Sequence, residues 1–424
     1  MINAGTSWKL AASAALLVGV VGFTQVHGSG ATAASPPQYG TLSNFDVFND
    51  TGQETNGFEI ELDGITAADI TYKFGAPYER YGDPTIIPFS GGVDVVYASP
   101  YDATAKKFTV GTPLAPNPIT PTGGHACWTG GSANYPTAGC EHFGLGLAAT
   151  PTNVAYFWLV PDTAHPGKLT TLGGGVQLPA PLWSATPPPP NSPNPAPVVA
   201  AAVQAPEPDL GQQLGNAEWV KVFVTESTGP AYLNHLVTGD KAVPNKVTET
   251  ETEWSLIQAG AGGGLPQDLT ESLQLGKTSE SVTRRFEFYK YTGAYDSGSH
   301  EALPVNDAAP SPGELGNLIG TQMGALNLKK SGAIPGDHTA PKVIVTTKPA
   351  ATTTSRSARL VFHATDPDNR TFTYFCSLDA RIPTTCTSAK SLTGLARGKH
   401  VFKIYAADAA RNASKAVTIT WTIK

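Results

Sequence analysis

The chain has 424 residues and a net charge of −6, and its Lys and Arg residues form no run longer than two. A nucleic-acid-binding surface needs a basic stripe and a polybasic membrane anchor needs a cluster of cations, so the composition excludes both. Charged residues make up only 15%, with 44 Gly and 36 Pro, which favours short strands joined by turns over long helices. The length suffices for several domains, each with a core of its own.

Residues 1–33 are predicted to be a secretion signal. Lys9 precedes an apolar stretch from Leu10 to Phe23, which is shorter than the roughly 20 residues that a membrane span needs. Small residues follow, and Ala31-Thr32-Ala33 fits an A-x-A cleavage site. We therefore expect cleavage near Ala33 and a mature protein that is secreted, periplasmic or on the cell surface, with no membrane attachment. An uncleaved N-terminal anchor is the alternative.

Alternating apolar and polar residues after the signal predict a β-sandwich region over residues 40–186. A first strand begins at Phe45, and a turn signal at Asn49 to Gly52 precedes a return strand at Phe58 to Asp63. The same alternation predicts strands at Ile70 to Phe74 and Val93 to Tyr97. Val154 to Val160 is apolar on both faces, which predicts a central strand.

Proline dominates residues 187–209, which predicts a stiff, extended linker outside any sheet interior. Residues 210–335 are predicted to form a second β-rich region, and residues 303–340, which begin inside it, are predicted to be loops. Three long strands with β-branched and aromatic residues suit antiparallel pairing: Trp219 to Glu226, Thr248 to Ile257 and Val282 to Tyr291. Whether 40–186 and 210–335 share one core stays open at this point.

The four cysteines form two close pairs, Cys127 with Cys140 and Cys376 with Cys386. An even count at short spacing in an exported chain predicts two local disulfides, which agrees with an oxidising compartment. Free thiols are the weaker alternative.

Residues 342–424 carry about seven strand-like runs. Their sequence resembles the bacterial immunoglobulin-like repeats of secreted and surface proteins. The resemblance rests on Asp337 to Pro341, Phe375 to Asp379, Cys386 to Ser388, Leu395, Gly398 to His400, Phe402, Ala406 to Ala410 and Trp421. Ala380 and Arg411 depart from the pattern, since members of that family commonly carry glycine there.

The resemblance implies an immunoglobulin-like β-sandwich that acts as a spacer or adhesion module. Independently of it, five residues alternate correctly to fill a sandwich core: Leu360, Phe362, Phe402, Ile404 and Trp421. Residues 40–335 resemble only exported bacterial proteins of unknown function. The predicted fold class is all-β, with one or more antiparallel β-sandwich regions followed by a C-terminal immunoglobulin-like β-sandwich.

The most informative local pattern places His125 and His142 two residues outside Cys127 and Cys140. If the cysteines are bonded across a β-ribbon, the two imidazoles lie on one face, about 5 Å apart at Cβ if directly paired. Such a pair predicts a divalent-metal or ligand site at His125 and His142, with Glu141 on the opposite face. Thiolate zinc binding by the same four residues is an alternative that the oxidising compartment disfavours. The leading interpretation is a structural disulfide with idle histidines and no cofactor.

Other polar patterns predict less. Glu59 and Glu61 share a strand face, as a retaining glycosidase pair would, but any half-exposed strand offers such pairs. Glu249, Glu251 and Glu253 suggest a solvated acidic face paired with Arg285. Trp128 is the tryptophan expected to be exposed.

No catalytic motif is present in the sequence, neither a G-x-S-x-G elbow nor an H-E-x-x-H pair nor a phosphate-binding loop. We therefore expect an exported, non-enzymatic β-sandwich protein that binds an extracellular or cell-surface ligand or serves a structural role. The alternatives are a secreted hydrolase acting on extracellular glycan or protein with an immunoglobulin-like accessory domain, and a metal-binding protein that uses His125 and His142.

Overall fold

The computed structural model describes most of the chain after the predicted signal, in segments separated by short gaps. The described residues are 38–39, 45–119, 122, 126–132, 134–173, 175–176, 178–186, 196–203, 205, 208, 213–229, 231, 247–260, 273–327, 339–367, 371–379, 381–408 and 412–424. The predicted signal, His125, Ala380 and Arg411 lie outside them. Met1–Ala34 and Ser35–Lys424 are separate units of the chain, and all that follows concerns the second.

The regular structure of the described residues consists almost entirely of strands. The first part contains β1 (Gln38–Tyr39), β2 (Phe45–Phe48), β3 (Gly57–Asp63), β4 (Ile70–Lys73), β5 (Thr85–Phe89), β6 (Gly92–Ala98), β7 (Tyr101–Asp102), β8 (Lys107–Phe108), β9 (Cys140–Phe143), β10 (Leu145–Leu147), β11 (Asn153–Pro161), β12 (Leu169–Thr171) and β13 (Pro181–Thr186). The middle part contains β14 (Val198–Val203), β15 (Glu218–Ser227), β16 (Val247–Ile257), β17 (Leu273–Gln274), β18 (Ser281–Tyr291), β19 (Ala294–Tyr295), β20 (Ala302–Leu303) and β21 (Leu315–Asn327). The last part contains β22 (Lys342–Thr347), β23 (Thr352–Thr353), β24 (Ala358–Thr365), β25 (Thr373–Leu378), β26 (Thr384–Cys386), β27 (Lys390–Leu392), β28 (Gly398–Ala407) and β29 (Val417–Ile423). Ala67–Asp69 and Tyr135–Thr137 are short 3₁₀ turns.

These strands confirm the predicted all-β class. Among the described residues, no helix has the length and hydrophobicity needed to cross a bilayer.

Two antiparallel sheets form the body of the protein. A seven-stranded sheet has the order β16-β15-β18-β21-β2-β9, with β1 also paired to β21. A five-stranded sheet has the order β12-β11-β3-β6-β5. The first sheet thus combines strands from before and after the proline-rich stretch.

The predicted hairpin from Phe45 into Phe58–Asp63 is wrong, because β2 and β3 belong to different sheets. Asn49, which begins the predicted turn, holds the connection between the two sheets and not a hairpin turn. The Asn49 side chain is fully buried and donates to the carbonyls of Gln53 and Thr112, both at 2.9 Å. These bonds fix the segment that carries the chain from one sheet to the other. Alternation predicts that a strand exists, but it does not say which strand pairs with it.

One hydrophobic cluster fills the space between the two sheets. The ring centroid of Phe45 on β2 is 5.0 Å from that of Tyr156 on β11, and Phe58 stacks on Phe143 at 4.3 Å. Valines of β15 and phenylalanines of β18 belong to the same cluster. Residues on both sides of the proline-rich stretch therefore bury their apolar side chains together.

Two segments differ from the sequence prediction. Part of the predicted linker 187–209 is strand β14, which pairs with β13 and β17 and buries Val199, Ala201 and Val203 in the main cluster. Part of the predicted loop 303–340 is β21, a thirteen-residue strand at the centre of the larger sheet. The sequence pattern does not predict β21, because the strand contains glycines and polar residues and because a strand enclosed on both faces need not show alternation.

Residues 342–424 form a second sandwich from a three-stranded sheet, β22-β24-β27, and a five-stranded sheet, β23-β29-β28-β25-β26. All five predicted core residues are buried in one cluster between these sheets: Leu360, Phe362, Phe402, Ile404 and Trp421. A disulfide joins Cys376 to Cys386 on the neighbouring strands β25 and β26, as predicted.

The C-terminal sandwich packs against the body of the protein. The rings of Phe375 and Tyr78 meet edge to face at 5.4 Å, and Ile382 packs against the cluster around Phe48. Tyr405 lies beside Phe375 in the same contact. The C-terminal sandwich is therefore a docked unit.

Candidate functional site

The predicted metal-binding residue His142 is enclosed in the protein. His142 on β9 lies directly opposite Asp46 on β2, and its Nδ1 is 2.8 Å from Asp46 Oδ1. Neither side chain is exposed to solvent. His125, its predicted partner, lies outside the described residues, so a site formed by both stays a prediction.

Asp46 is the anchor of this region. Its Oδ2 accepts hydrogen bonds from Thr122 Oγ1 at 2.7 Å and from the Ala126 amide at 3.0 Å. Burial disfavours the charge, but the bonds from His142, Thr122 and Ala126 together with the attraction of His142 outweigh it and lower the pKa of Asp46. The arrangement ties the chain before Cys127 to the sheet, which is a structural role.

Cys127 and Cys140 form a disulfide with Cα atoms 5.6 Å apart. The β-ribbon assumed between them is wrong, because Cys140 is on β9, paired with β2, and Cys127 is in a loop. The bond leaves no thiolate for zinc. Glu141 faces away from His142, as predicted, since it lies opposite Val47 on the inner face of the sheet.

Sequence reasoning missed the buried polar cluster around Glu141. Its Oε1 accepts from Arg80 Nε at 2.5 Å and Thr112 Oγ1 at 2.6 Å, and its Oε2 accepts from Tyr135 OH at 2.6 Å. Arg80 also donates to the carbonyl oxygens of Tyr135 and Pro136 at 3.2 Å. Arg80 sits 61 positions away from Glu141 in a Gly- and Pro-flanked segment, so the sequence held no signal for the pair.

Three acidic side chains gather on the outer face of the five-stranded sheet. Glu59 and Glu61 share that face, as predicted, and Asp94 lies directly opposite Glu61. One oxygen from each carboxylate can be chosen so that all three lie within 4.8 Å of one another. Burial, and then the charges of Asp94 and Glu61, raise the pKa of Glu59 to about 6. Burial and neighbouring carboxylates, Asp63 first, also raise the pKa of Glu61 and Asp94.

Two lesser expectations are wrong. Trp128 is 9% exposed and packs edge-on against Tyr78 and Phe74, so it is part of the interior. Arg285 cannot pair with Glu253, because the register puts Glu253 opposite the core residue Val222, on the other face of the sheet. The side chains of Glu249 and Glu251 lie outside the described part of the chain.

The best candidate for a ligand site is an open groove of about 450 Å³ beside the start of β3 and the end of β11. The half-exposed rings of Tyr101 and Phe108 line it, with centroids 5.1 Å apart at an interplanar angle of 61°. The backbone of Gly167 packs close to the Tyr101 ring, because a Cβ added at this glycine would lie 3.1 Å from the ring. Pro161 and Pro166 add further apolar surface.

The groove also presents charged and amide groups. Lys106, Lys107 and Glu54 are exposed and form no ion pair with any residue in the described segments. Asp162 is held by His165, whose Nδ1 lies 2.7 Å from its Oδ2; this bond and the Ala164 amide lower the pKa of Asp162. Apolar walls with a few polar groups are what a small-ligand site requires. Sequence reasoning missed the groove because its residues come from three separated loops.

Comparisons with known proteins add little. No protein-family model matches the chain, and no curated protein matches it. Among solved structures, the fibronectin(III)-like modules of CbhA from Clostridium thermocellum are 9% identical, with 57% of this chain and 94% of that chain covered and a TM-score of 0.21. The glycoside hydrolase domain of Endo-D from Streptococcus pneumoniae R6 is 12% identical over 63% and 36% of the two chains, with a TM-score of 0.18. The BSP domain of a biofilm associated protein is 12% identical over 96% and 84%, with a TM-score of 0.16. Scores this low do not establish a shared fold, so the all-β class rests on the strands themselves.

Proposed function

We propose that this chain is an exported β-sandwich module that binds an extracellular or cell-surface ligand in the groove lined by Tyr101 and Phe108. The observation that carries the proposal is the groove itself. It combines the half-exposed rings of the β7–β8 hairpin with charged side chains that form no ion pair within the described part of the chain, and a rigid sandwich holds both.

Export is supported by the predicted signal and by two disulfides, one in each sandwich. The resemblance of residues 342–424 to bacterial immunoglobulin-like repeats fits a surface or secreted setting. Expression of the full chain in a bacterial host with fractionation tests this part. A mature N-terminus at about Ala34 in the exported fraction supports it, and an uncleaved chain in the cytoplasm contradicts it.

The binding role is tested with the mature protein on an array of extracellular polysaccharides and matrix proteins. The variants Tyr101→Ala and Phe108→Ala should lose the binding that the wild type shows. Phe89→Ala is the matched control, because Phe89 is a 37% exposed ring that does not line the groove. Equal binding by wild type and Tyr101→Ala would exclude the groove as the site.

A second candidate function, hydrolysis of an extracellular glycan, is favoured by the Glu59, Glu61 and Asp94 cluster. One oxygen from each of the three carboxylates lies within 4.8 Å of the others. This is close to the roughly 5–5.5 Å that separates the two carboxyl groups of a retaining glycosidase. The raised pKa of Glu59, about 6, suits a general acid. Release of reducing ends from a glycan panel by the wild type but not by Glu59→Gln would support this candidate.

A further inference from the structure

The outer face of the seven-stranded sheet carries an ordered set of rings and charges at the end formed by β16, β15 and β18. The register places Lys221 between Trp254 and Glu287 in one row, and Phe223 opposite Arg285 in the next. Tyr289, on the same face of β18, adds a third ring. The opposite face of these strands is the main hydrophobic core. We call the outer set the aromatic–cationic face: Lys221, Phe223, Trp254, Arg285, Glu287 and Tyr289.

Contacts within the aromatic–cationic face hold its side chains in place. Lys221 Nζ lies 4.8 Å from the ring centroid of Phe223 and 5.5 Å from that of Trp254. The guanidinium carbon of Arg285 is 3.9 Å from the Phe223 centroid. Trp254 also packs at 5.7 Å against Tyr289. Cation–π contacts of this kind lower the entropy that a ligand would otherwise have to remove on binding.

The charges on this face leave one cation available. Arg285 donates to Glu287 Oε1 at 2.6 Å, and Tyr289 OH donates to Glu287 Oε2 at 2.9 Å, so both oxygens of the single carboxylate are engaged. Lys221 forms no ion pair within the described part of the chain. The face is therefore locally positive in a protein whose net charge is −6.

The rings on this face are not fully used by the fold. Phe223, Trp254 and Tyr289 are only partly buried, whereas Val220, Val222 and Phe286 on the inner face are fully enclosed or nearly so. A contiguous group of partly exposed rings with polar residues around it is the kind of surface that marks an interaction site. Rings with interleaved charges do not suit a purely apolar protein partner.

We propose that the aromatic–cationic face binds a carboxylated polysaccharide, with sugar rings lying against Trp254 and Tyr289 and a carboxylate paired with Lys221. Aromatic rings offer an apolar surface to the C–H groups of a sugar, and the ammonium group supplies the complementary charge. One unpaired cation is too few for nucleic acid, whose binding depends on many phosphate contacts. This site is separate from the groove at Tyr101.

The test is isothermal titration calorimetry of the mature protein with polygalacturonate, with its fully methyl-esterified form and with poly-glutamate. Polygalacturonate should bind, and Lys221→Gln should weaken it about tenfold at low salt, which corresponds to about 1.4 kcal/mol. Lys403→Gln is the matched control, since Lys403 is an exposed strand lysine on the C-terminal sandwich. Trp254→Ala should abolish binding.

Trp254 packs against Trp219, so Trp254→Ala could lose binding because it is less stable, and its thermal unfolding is measured alongside. Lys221→Gln is the variant that leaves the packing of the rings largely intact. Equal affinity of the esterified polymer would overturn the carboxylate recognition. Equal affinity for poly-glutamate would overturn the sugar contact, and unchanged binding by Lys221→Gln would overturn the site. Tyr101→Ala should bind polygalacturonate like the wild type, because Tyr101 lies in the groove and not on the aromatic–cationic face. This variant therefore distinguishes a failure of the present proposal from a failure of the groove proposal.

Discussion

The carboxyl groups of Glu79 and Glu141 lie in one buried cluster, close enough for the charge of Glu141 to act on Glu79. Glu141 accepts three side-chain hydrogen bonds, one of them from the Arg80 guanidinium. Glu79 Oε2 accepts only a backbone amide, and its Oε1 has no partner among the described residues. Burial, and then the charge of Glu141, raise the pKa of Glu79 well above its usual range. The buried site therefore favours the protonated form of Glu79.

Replacing Glu79 by Gln should stabilise the protein at neutral and alkaline pH. The pKa of Glu79 is higher in the folded chain than its unfolded value near 4.5, so its contribution is complete below that value and is lost as pH rises through the folded pKa. Gln carries no charge at any of these pH values, so the variant does not lose this stability as the pH rises. Urea unfolding at about pH 4 and about pH 8 should show equal stabilities for variant and wild type at the lower pH and a more stable variant at the higher pH. A wild-type advantage at the higher pH would contradict the assignment.

Replacing Glu141 by Gln should have the opposite effect. The Arg80 side chain is 2% exposed, and loss of its ion-pair partner leaves a buried charge without compensation, which costs about 3 kcal/mol or more. Ionisation of Glu79 would offset part of this cost, so the double variant Glu79→Gln, Glu141→Gln should be less stable than Glu141→Gln alone. Urea unfolding of all three variants measures the coupling. Additive effects would show that the two carboxyl groups do not share a site.

The Cys127–Cys140 disulfide should stabilise the protein through closure of its loop. The two residues are 13 positions apart, for which chain entropy predicts a loss of up to about 3 kcal/mol in Cys127→Ser, Cys140→Ser. The melting temperature should fall by several degrees. The native protein should show no free thiol on titration with a thiol reagent. Free thiols in the native protein together with an unchanged melting temperature would contradict the prediction.

The contact between Tyr78 and Phe375 should couple the unfolding of the two sandwiches. Tyr78→Ala removes an edge-to-face ring pair worth about 1 kcal/mol beyond the apolar area that it buries. We expect calorimetry of the variant to separate one transition into two, with the C-terminal sandwich unfolding independently. Tyr374→Ala, on the same strand as Phe375 but facing the C-terminal core, is the control, and it should lower stability without separating the transitions.

The sequence predicted local features well and distant pairings poorly. Alternation placed Phe45, Phe58 and Trp421 in strands, because burial of one strand face leaves a two-residue period, and all three side chains fill a core. It missed β21, because both faces of this strand are enclosed and its buried residues include the polar Thr321 and Gln322. It could not find the partner of His142, since Asp46 lies 96 positions away and only the strand register brings the two together.

Titration of Glu59 offers a direct test of the acidic cluster. Carboxyl carbon NMR of the mature protein should give a pKa of about 6 for Glu59, above its ordinary value of 4.5. Burial is the first cause and repulsion from Asp94 the second, so Asp94→Asn should lower the pKa while leaving it above 4.5. Between pH 4.5 and about 6 the same variant should lose less stability than the wild type, because its Glu59 pKa lies closer to the unfolded value. Asp102→Asn is the matched control, since Asp102 is an exposed carboxylate at a separate turn and should leave the Glu59 titration unchanged. An unaltered pKa in Asp94→Asn would show that the carboxylates do not interact, and the cluster could then neither share a proton nor act as a catalytic pair.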